Sequence, residues 1–177
     1  MMHIRPWFER SFPYPIDPGS FAGIVERLAG TASRIEEKCL GLDAFLLTQK
    51  PGGTWSINEH VGHLGDLEPL WLGRILDLKN GHEKLRDADL TNRTTHEAGH
   101  NQTGLLELSR TFRQARASFV NELEDLSEKD LSNTALHPRL LKPMTIVDLC
   151  YFVAEHDDHH LAHITKLIRE IPGSLEI

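Results

Sequence analysis

Apolar side chains recur every three or four residues along four segments of the chain, which is the spacing of one face of an α-helix. The first predicted helix begins with Asp17 as its N-cap and Pro18 in its first turn, and it runs to about Gly41. The second begins at Ser56, where Glu59 three residues later completes a capping box, and it ends near residue 80. Both starts carry side chains that satisfy the first free N–H groups of a helix.

Two further segments repeat the pattern in the second half of the chain. The third predicted helix covers residues 105–126. The fourth begins at Thr145, with Asp148 in the position that completes a second capping box. Pro172-Gly173 is expected to end this helix, because proline cannot continue a helix and glycine favours its C-terminal cap.

Long polar connections separate the last three predicted helices. Residues 82–103 and 127–143 carry no clear period, and no segment shows the alternation of a strand. Four amphipathic helices cannot bury their apolar faces alone, so we predict an all-α fold, a four-helix bundle. We expect one domain over residues 1–177, with residues 1–16 as an irregular, proline-containing arm. Connections of this length do not require simple up-down-up-down order.

Composition and charge narrow the classes of function. The 177 residues are 40% hydrophobic and 25% charged, as in ordinary globular proteins, and the formal charge is −7. A net-acidic chain without a basic run lacks the electrostatic footprint of a nucleic-acid binder. No apolar run approaches the roughly 20 residues that span a membrane. Cys39 and Cys150 lie on helical stripes, and with no apolar leader at the start we expect a cytoplasmic protein whose cysteines are reduced.

Histidine is the unusual component of the sequence, with 11 in all and four of them between residues 156 and 163. His156 and His160 form one i, i+4 pair, and His159 and His163 form another. Such pairs lie about 40° apart on a helix, so both imidazoles can reach one metal ion. The apolar stripe of this helix places His160 and His156 inward, His163 at the margin and His159 outward. Pairs at this spacing also arise by chance, in which case these are core or surface histidines.

A metal site would need a third protein ligand from another helix. The second predicted helix offers His60 and His63. Hydrophobic periodicity alone favours His60, which lies nearer the centre of the stripe. A site near the end or seam of a bundle need not sit at that centre, so His63 stays a candidate, and one of the two is expected to be an ordinary core histidine.

Two stretches resemble motifs of the DinB superfamily, which includes the YfiT-like proteins and the bacillithiol S-transferases. One is WSINEHVGHLGD, residues 55–66, and the other is HDDHHLAHI, residues 156–164. The resemblance implies a four-helix bundle with a three-histidine metal site, and it assigns the ligands to His63, His156 and His160. His163 is a departure, because many relatives carry Gln there. The arm and the His137-Pro138-Arg139-Leu140 segment match neither motif.

Several residues are candidates for the surroundings of the metal. A histidine ligand usually donates its second N–H to a carboxylate or carbonyl oxygen. His96 and His100, in the connection of residues 82–103, are expected at the surface, and His137 is expected to be a loop residue. The candidates for the second shell or the pocket are His60, Glu59, Asp66, Asp157 and His163, with Glu155 as a further neighbour.

Three histidine ligands leave a coordination position open, which is the pattern of a catalytic site. The resemblance implies transfer of a low-molecular-weight thiol to an electrophile, with water or a thiolate on the metal as nucleophile. Hydrolysis and a non-catalytic, metal-binding role in stress response stay open. We expect one divalent ion per chain, zinc first and nickel as the alternative. The resemblance further implies a small thiol or electrophilic substrate and a homodimer, and we expect no nucleic-acid or membrane partner.

Overall fold

The computed structural model describes residues 3–170, and these form eight α-helices and one short β-ladder. None of the helices in this range is long and apolar enough to cross a lipid bilayer. The expected helix stop at Pro172-Gly173 lies outside the described residues. The elements are α1 (Phe21–Ala29), α2 (Thr31–Cys39), α3 (Ala44–Thr48), α4 (Ile57–Lys79), α5 (Arg93–Glu97), α6 (Leu105–Glu124), α7 (Glu128–Ser132), β1 (Ala135–Leu136), β2 (Pro143–Met144) and α8 (Ile146–Glu170).

Reciprocal capping boxes start the two helices that carry the candidate ligands. At α4, Ser56 Oγ accepts from the Glu59 N–H at 3.1 Å, and the Glu59 carboxylate accepts from the Ser56 N–H at 2.9 Å. At α8, Thr145 Oγ1 accepts from the Asp148 N–H at 3.1 Å, and Asp148 accepts in return at 2.9 Å. Both predicted starts are confirmed. They fix the residue at which each of these helices begins.

The first predicted helix differs from the structure at its start and by a break at Gly30. Asp17 caps a single 3-10 turn over Pro18–Ser20, and α1 begins after it at Phe21. The segment divides into α1 and α2, and the Gly30 N–H donates to the Glu26 carbonyl oxygen at 3.0 Å. Glycine weakens a helix interior because its backbone loses more conformational freedom than that of other residues. The sequence also does not predict the three short helices α3, α5 and α7.

The expectation that the chain contains no strand is wrong for one small ladder. Strand β1 pairs with β2 in antiparallel register, Ala135 opposite Met144. Leu136 also bridges to Lys84 in the connection after α4. Two residues per strand are too few for an alternating pattern to be visible in the sequence. The ladder ties the two long connections together beside the bundle.

Four helical segments form the bundle, which confirms the predicted fold class. Helix α4 makes its main contacts with α6 and α8, and the α1–α2 segment packs against the same two helices. The first and second long segments are therefore diagonal to each other, although they follow one another in the chain. A simple up-down ring would place them side by side, so the stretch between α2 and α4 crosses between diagonal positions, whereas residues 82–103 join the neighbouring helices α4 and α6.

A layer of buried polar side chains divides the core into two apolar clusters. Arg116 of α6 lies in this layer between Glu68 of α4 and Asp157 of α8. Its Nη2 donates to Glu68 Oε1 at 2.7 Å and to Asp157 Oδ1 at 3.1 Å. Thr31 at the start of α2 donates to Asp157 Oδ2 at 2.7 Å. The layer therefore joins all four segments of the bundle by charge-assisted hydrogen bonds.

The N-terminal arm lies across α8. Trp7, Phe12 and Tyr14 pack against the larger apolar cluster. The Ile16 N–H donates to Asp148 Oδ1 at 2.7 Å, which fixes the end of the arm at the start of α8. This path brings the Trp7 ring within 4.9 Å of the His156 ring, centroid to centroid.

Candidate metal centre

Three histidines from two helices converge at the bundle seam. His63 comes from α4, and His156 and His160 come from α8. One ring nitrogen of each lies within 4.8 Å of one ring nitrogen of the other two. The Nε2 atoms of His156 and His160 are 3.2 Å apart. Two ligands about 2.0–2.1 Å from one tetrahedral ion would be separated by about 3.3–3.4 Å, so this spacing fits a shared metal.

The three imidazoles are buried, with exposures of 3%, 5% and 5% for His63, His156 and His160. Burial lowers the pKa of His63 to about 4. Burial also lowers the pKa of His156 and of His160 well below the usual value, and neighbouring imidazoles add to the effect. All three are therefore neutral near pH 7, which is the form that binds metal.

A hydrogen-bonded chain orients His63. Its Nδ1 lies 2.9 Å from Thr95 Oγ1, and that hydroxyl donates to Asp66 Oδ2 at 2.7 Å. His63 Nδ1 is then the donor to the hydroxyl, which leaves Nε2 as the acceptor that can bind metal. His100 Nε2 lies 2.9 Å from the same carboxylate oxygen. Asp66 thus reaches His63 through Thr95.

His60 occupies the corresponding position beside His160. The Nδ1 atoms of these two residues are 2.8 Å apart, so one donates to the other. The contact directs the Nε2 atom of His160 towards His156. The half-buried His163 stacks on His60, with ring centroids 5.2 Å apart. Both histidines that compete on α4 in the sequence lie in the site, and the structure brings His63, not His60, into the group of three.

The remaining acidic candidates bind elsewhere. Glu59 closes the capping box and pairs with Lys50 at 2.8 Å. Asp157 is fully buried in the Arg116 layer. Glu155 pairs with Arg27 at 2.9 Å and with Arg10. Each of these carboxylates binds a cation or an N–H group at the start of a helix. Such partners bind a carboxylate more strongly than a neutral imidazole does.

His156 keeps one nitrogen without a partner. Its Nδ1 is buried and has no acceptor or donor within hydrogen-bond distance among residues 3–170. Trp7 and Trp71 pack edge-on against the ring, with centroids at 4.9 and 5.7 Å. Aromatic packing, rather than a hydrogen bond, fixes the orientation of this imidazole.

Of the sequence expectations about loop histidines, the one for His100 is wrong. His100 was expected at the surface but is only 8% exposed, and it binds Asp66. His137 does lie in a loop, yet it is 1% exposed and lines a cavity. Thr95 was not recognised at all, because a threonine in a polar connection carries no periodic signal. The spacing from Trp71 to Ile75 and Leu78 could have drawn attention to Arg74, a charged residue on a core-facing stripe.

A cavity of about 340 Å³ lies beside the three histidines. Its wall is mainly aromatic and aliphatic, and the half-buried His159 stands at its edge. Trp55 covers the histidines, with its ring 4.7 Å from that of His63. An apolar cavity with a few convergent polar groups is typical of a small-molecule site. The apolar wall includes Trp7, Phe8, Trp55, Leu67, Leu70 and Phe152.

Comparison with known proteins supports both the fold and the family. The sequence profile of the DinB superfamily matches residues 27–164. A Bacillus pumilus (strain SAFR-032) protein named "Putative metal-dependent hydrolase" is 26% identical, and the alignment covers 72% of each chain. The structure of YfiT from Bacillus subtilis, described as "a probable metal-dependent hydrolase with an unusual four-helix bundle topology", matches with a TM-score of 0.77.

The YfiT match covers 91% of this chain and 93% of that chain at 19% sequence identity, so it is evidence for the fold. The profile match covers more than half of the chain and includes His63, His156 and His160. The paired capping boxes and the diagonal bundle are consistent with that assignment. This chain belongs to the DinB superfamily.

Proposed function

We propose that the protein is a metal-dependent enzyme in which His63, His156 and His160 hold one divalent ion, zinc by preference. The observation that carries the proposal is the convergence of three buried, neutral imidazoles beside an apolar cavity. Within residues 3–170 the group contains three protein ligands, which leaves a position for a small molecule. The names of the Bacillus relatives support metal dependence.

The reaction that we propose is transfer of a low-molecular-weight thiol to an electrophile. A bound divalent ion would supply Lewis acidity, which lowers the pKa of a thiol or of water. The protein offers no thiolate of its own, because burial raises the pKa of Cys39 to about 11 and raises that of Cys150 further. A small thiol would have to enter from solution, and the rings of Trp7 and Trp55 would hold the apolar part of the electrophile.

The carboxylates that line the cavity already have other partners, and this favours thiol transfer over hydrolysis. Hydrolysis on zinc commonly uses a carboxylate as general base, as in the H-E-x-x-H proteases. Only Asp87 and Asp89 among the described acidic residues line this cavity. Asp87 pairs with Lys84, and Asp89 accepts from the N–H groups of Thr91 and Arg93. A thiol ionises more readily than water and needs such a base less. The printed names of the relatives are the argument for hydrolysis as the second candidate.

The experiment combines metal content with two reactions. Protein purified without a nickel column is first analysed for metal. It is then mixed with 1-chloro-2,4-dinitrobenzene and one of three thiols: cysteine, glutathione or coenzyme A. The sulfur–carbon bond forms, the carbon–chlorine bond breaks, chloride leaves and the thiol proton passes to solvent. We expect metal-dependent turnover with at least one thiol, lost in His160→Ala and kept in His82→Ala, which changes an exposed histidine away from the cluster.

Parallel hydrolysis of 4-nitrophenyl acetate distinguishes the alternatives. Metal-dependent ester cleavage without any thiol reaction would favour the hydrolase. Stoichiometric metal with neither reaction would favour a non-catalytic, metal-binding protein. Absence of metal, or metal that is retained when His63 and His160 are both replaced, would overturn the proposed site.

A further inference from the structure

Two arginines line the cavity without forming an ion pair with a carboxylate among residues 3–170. Arg74 of α4 is 2% exposed, and its Nε and Nη2 donate to the Arg86 carbonyl oxygen at 3.1 and 3.0 Å. Arg139, in the loop between β1 and β2, has a buried Nη2 with no acceptor in the described residues. Buried charges in proteins are normally paired, because desolvation without a partner is costly. Two such cations on one cavity therefore require an explanation.

The contact between Arg74 and His137 adds a second anomaly. His137 Nδ1 accepts from the backbone N–H groups of Arg139 at 3.2 Å and Leu140 at 3.1 Å. The proton of the neutral ring must then be on Nε2. That Nε2 lies 3.2 Å from Arg74 Nη1, which is also a donor. Two N–H groups face each other here, and an oxyanion placed beside them would accept from both.

A further donor lies on the same wall. Trp71 is only 3% exposed, and its buried Nε1 atom has no acceptor within the described range. Arg74 Cζ lies 5.5 Å from the centre of the Trp71 ring. Arg139 Cζ lies 5.2 Å from the Phe8 ring and 5.7 Å from the Phe152 ring. Donors without acceptors thus alternate with apolar rings around one part of the cavity.

We infer that this part of the cavity is an anion subsite, in which Arg74, Arg139 and Trp71 bind the carboxylate of a small, partly apolar ligand. Arginine presents a planar pair of N–H groups that matches a carboxylate. The inference deepens the proposed function by naming the substrate class, and to that extent it rests on that function. The His137-to-Leu140 segment, which matches neither family motif, is the source of two of the residues involved, His137 and Arg139.

The position of the subsite suits a substrate that spans the cavity. The Trp71 ring lies 5.5 Å from Arg74 Cζ and 5.7 Å from the His156 ring. Phe152 likewise lies between Arg139 and the Trp7 ring that covers His156. A ligand held by its carboxylate would extend its apolar part along these rings towards the three histidines.

The electrostatics of the two arginines agree with this geometry. Burial lowers the pKa of Arg74 to about 10, against the opposing charges of Asp77 and Asp87, and the nearby Arg139 adds to the decrease. Burial also lowers the pKa of Arg139. A bound carboxylate would reverse both effects by supplying the missing negative charge.

The test measures binding by calorimetry with two probes of the same shape, 3-phenylpropanoate and its neutral amide, 3-phenylpropanamide. We expect the carboxylate to bind at least tenfold more tightly than the amide. Arg139→Gln should abolish that preference, whereas Arg113→Gln should keep it, because Arg113 is exposed and pairs with Glu36 on another face. Trp71→Phe keeps the ring and removes one donor, and it should reduce carboxylate affinity about threefold to tenfold.

Each measurement is made with metal-loaded and with chelator-treated full-length protein, because a carboxylate could instead bind the metal. A preference that survives chelation and is lost in Arg139→Gln supports the subsite. Equal binding of the two probes, no measurable binding of the carboxylate, or a preference that disappears only on chelation would overturn it. If Arg139→Gln does not fold by circular dichroism, Trp71→Phe and the wild-type comparison still decide. The metal-free arm keeps this test independent of the proposed catalytic function.

Discussion

The orientation of His63 depends on one hydroxyl group, that of Thr95. It accepts a hydrogen bond from His63 Nδ1 and donates one to Asp66. The carboxylate therefore acts on the imidazole through the hydroxyl, without touching the ring. Partners of this kind fix the tautomer of a ligand and raise its basicity. Thr95 is 4% exposed, so solvent offers no replacement.

Replacing Thr95 with valine removes the hydroxyl while keeping the shape. We expect metal affinity to fall about 10- to 100-fold, because His63 loses the acceptor that fixes its Nδ1 proton. Competition with a chelating dye measures the change. Thr48→Val, at a half-buried position in α3 outside the histidine cluster, is the matched control and should leave affinity unchanged. Equal affinities for the two variants would show that the hydrogen-bonded chain does not act on the metal.

Gly62 allows His100, in the connection of residues 82–103, to pack closely against α4. A Cβ atom at this position would lie 2.3 Å from the His100 ring, so Gly62→Ala must displace that ring. We expect a loss of about 1–3 kcal/mol in the free energy of unfolding, which is typical of overpacking. Denaturant titration measures it, with Gly104→Ala as the control because no atom lies near its added Cβ. Comparable stability of both variants would contradict the packing seen here.

Individual site residues differ in how far the sequence predicts them. His156 and His160 follow from helical geometry, since their spacing and the apolar stripe place both inward. His63 does not, because the stripe favours His60, and only the family resemblance indicates the other residue. Thr95 and His100 depend on the path of a connection, which no short-range pattern specifies.

At the level of elements, Asp77 holds the connection after α4 against the bundle. Its carboxylate accepts from the Arg86 backbone N–H at 2.9 Å and from Arg86 Nη2 at 2.7 Å. Arg86 in turn presents its carbonyl oxygen to Arg74. One carboxylate on α4 therefore positions a wall of the cavity.

Asp77→Asn removes the charge from this anchor, and we expect a loss of about 1–2 kcal/mol in stability at pH 7. The side-chain hydrogen bond from Arg86 is the main cause that lowers the pKa of Asp77 in the folded state. A lowered pKa means that the contribution is full above the unfolded value and is lost as pH falls through the folded value. The difference between wild type and variant should therefore shrink below about pH 4. Thermal unfolding at pH 7 and pH 3 tests this, and Asp125→Asn at an exposed site is the control. A difference that does not depend on pH would exclude the charge as its origin.

The starts of the long helices are more predictable than their interruptions. Ser56 and Thr145 predict the starts of α4 and α8, because a capping box is local and uses side chains within three residues. The break at Gly30 depends on tertiary packing as well as on propensity. The pairing of Ala135 with Met144 joins residues that are distant in the chain and too few to show a period.

At the scale of the whole molecule, the three candidate ligands are not part of the two apolar clusters that fill the bundle, although Trp71 of the larger cluster packs against His156. Those clusters and the Arg116 layer between them involve every long helical segment. The fold therefore has substantial stabilising contacts that do not depend on a metal. This distinguishes it from small domains in which metal binding is the folding energy.

Metal removal should consequently leave the bundle folded but less stable. With free metal at a thousandfold above its dissociation constant, binding adds about 4 kcal/mol, or roughly 10 °C in Tm for a chain of this size. Circular dichroism with and without chelator measures the shift, and His63→Ala should show none. Loss of helical signal at 25 °C on chelation would instead indicate a structural metal.

The chain has three tryptophans, and all of them surround the histidines. Trp7 and Trp71 lie 4.9 and 5.7 Å from the His156 ring, and Trp55 lies 4.7 Å from the His63 ring. The intrinsic tryptophan fluorescence of the protein therefore originates entirely from residues around one site. An ion with a partly filled d shell, such as nickel or copper, would quench this emission on binding, whereas zinc would leave most of it. The unlabelled protein thus contains an optical reporter of which metal it holds.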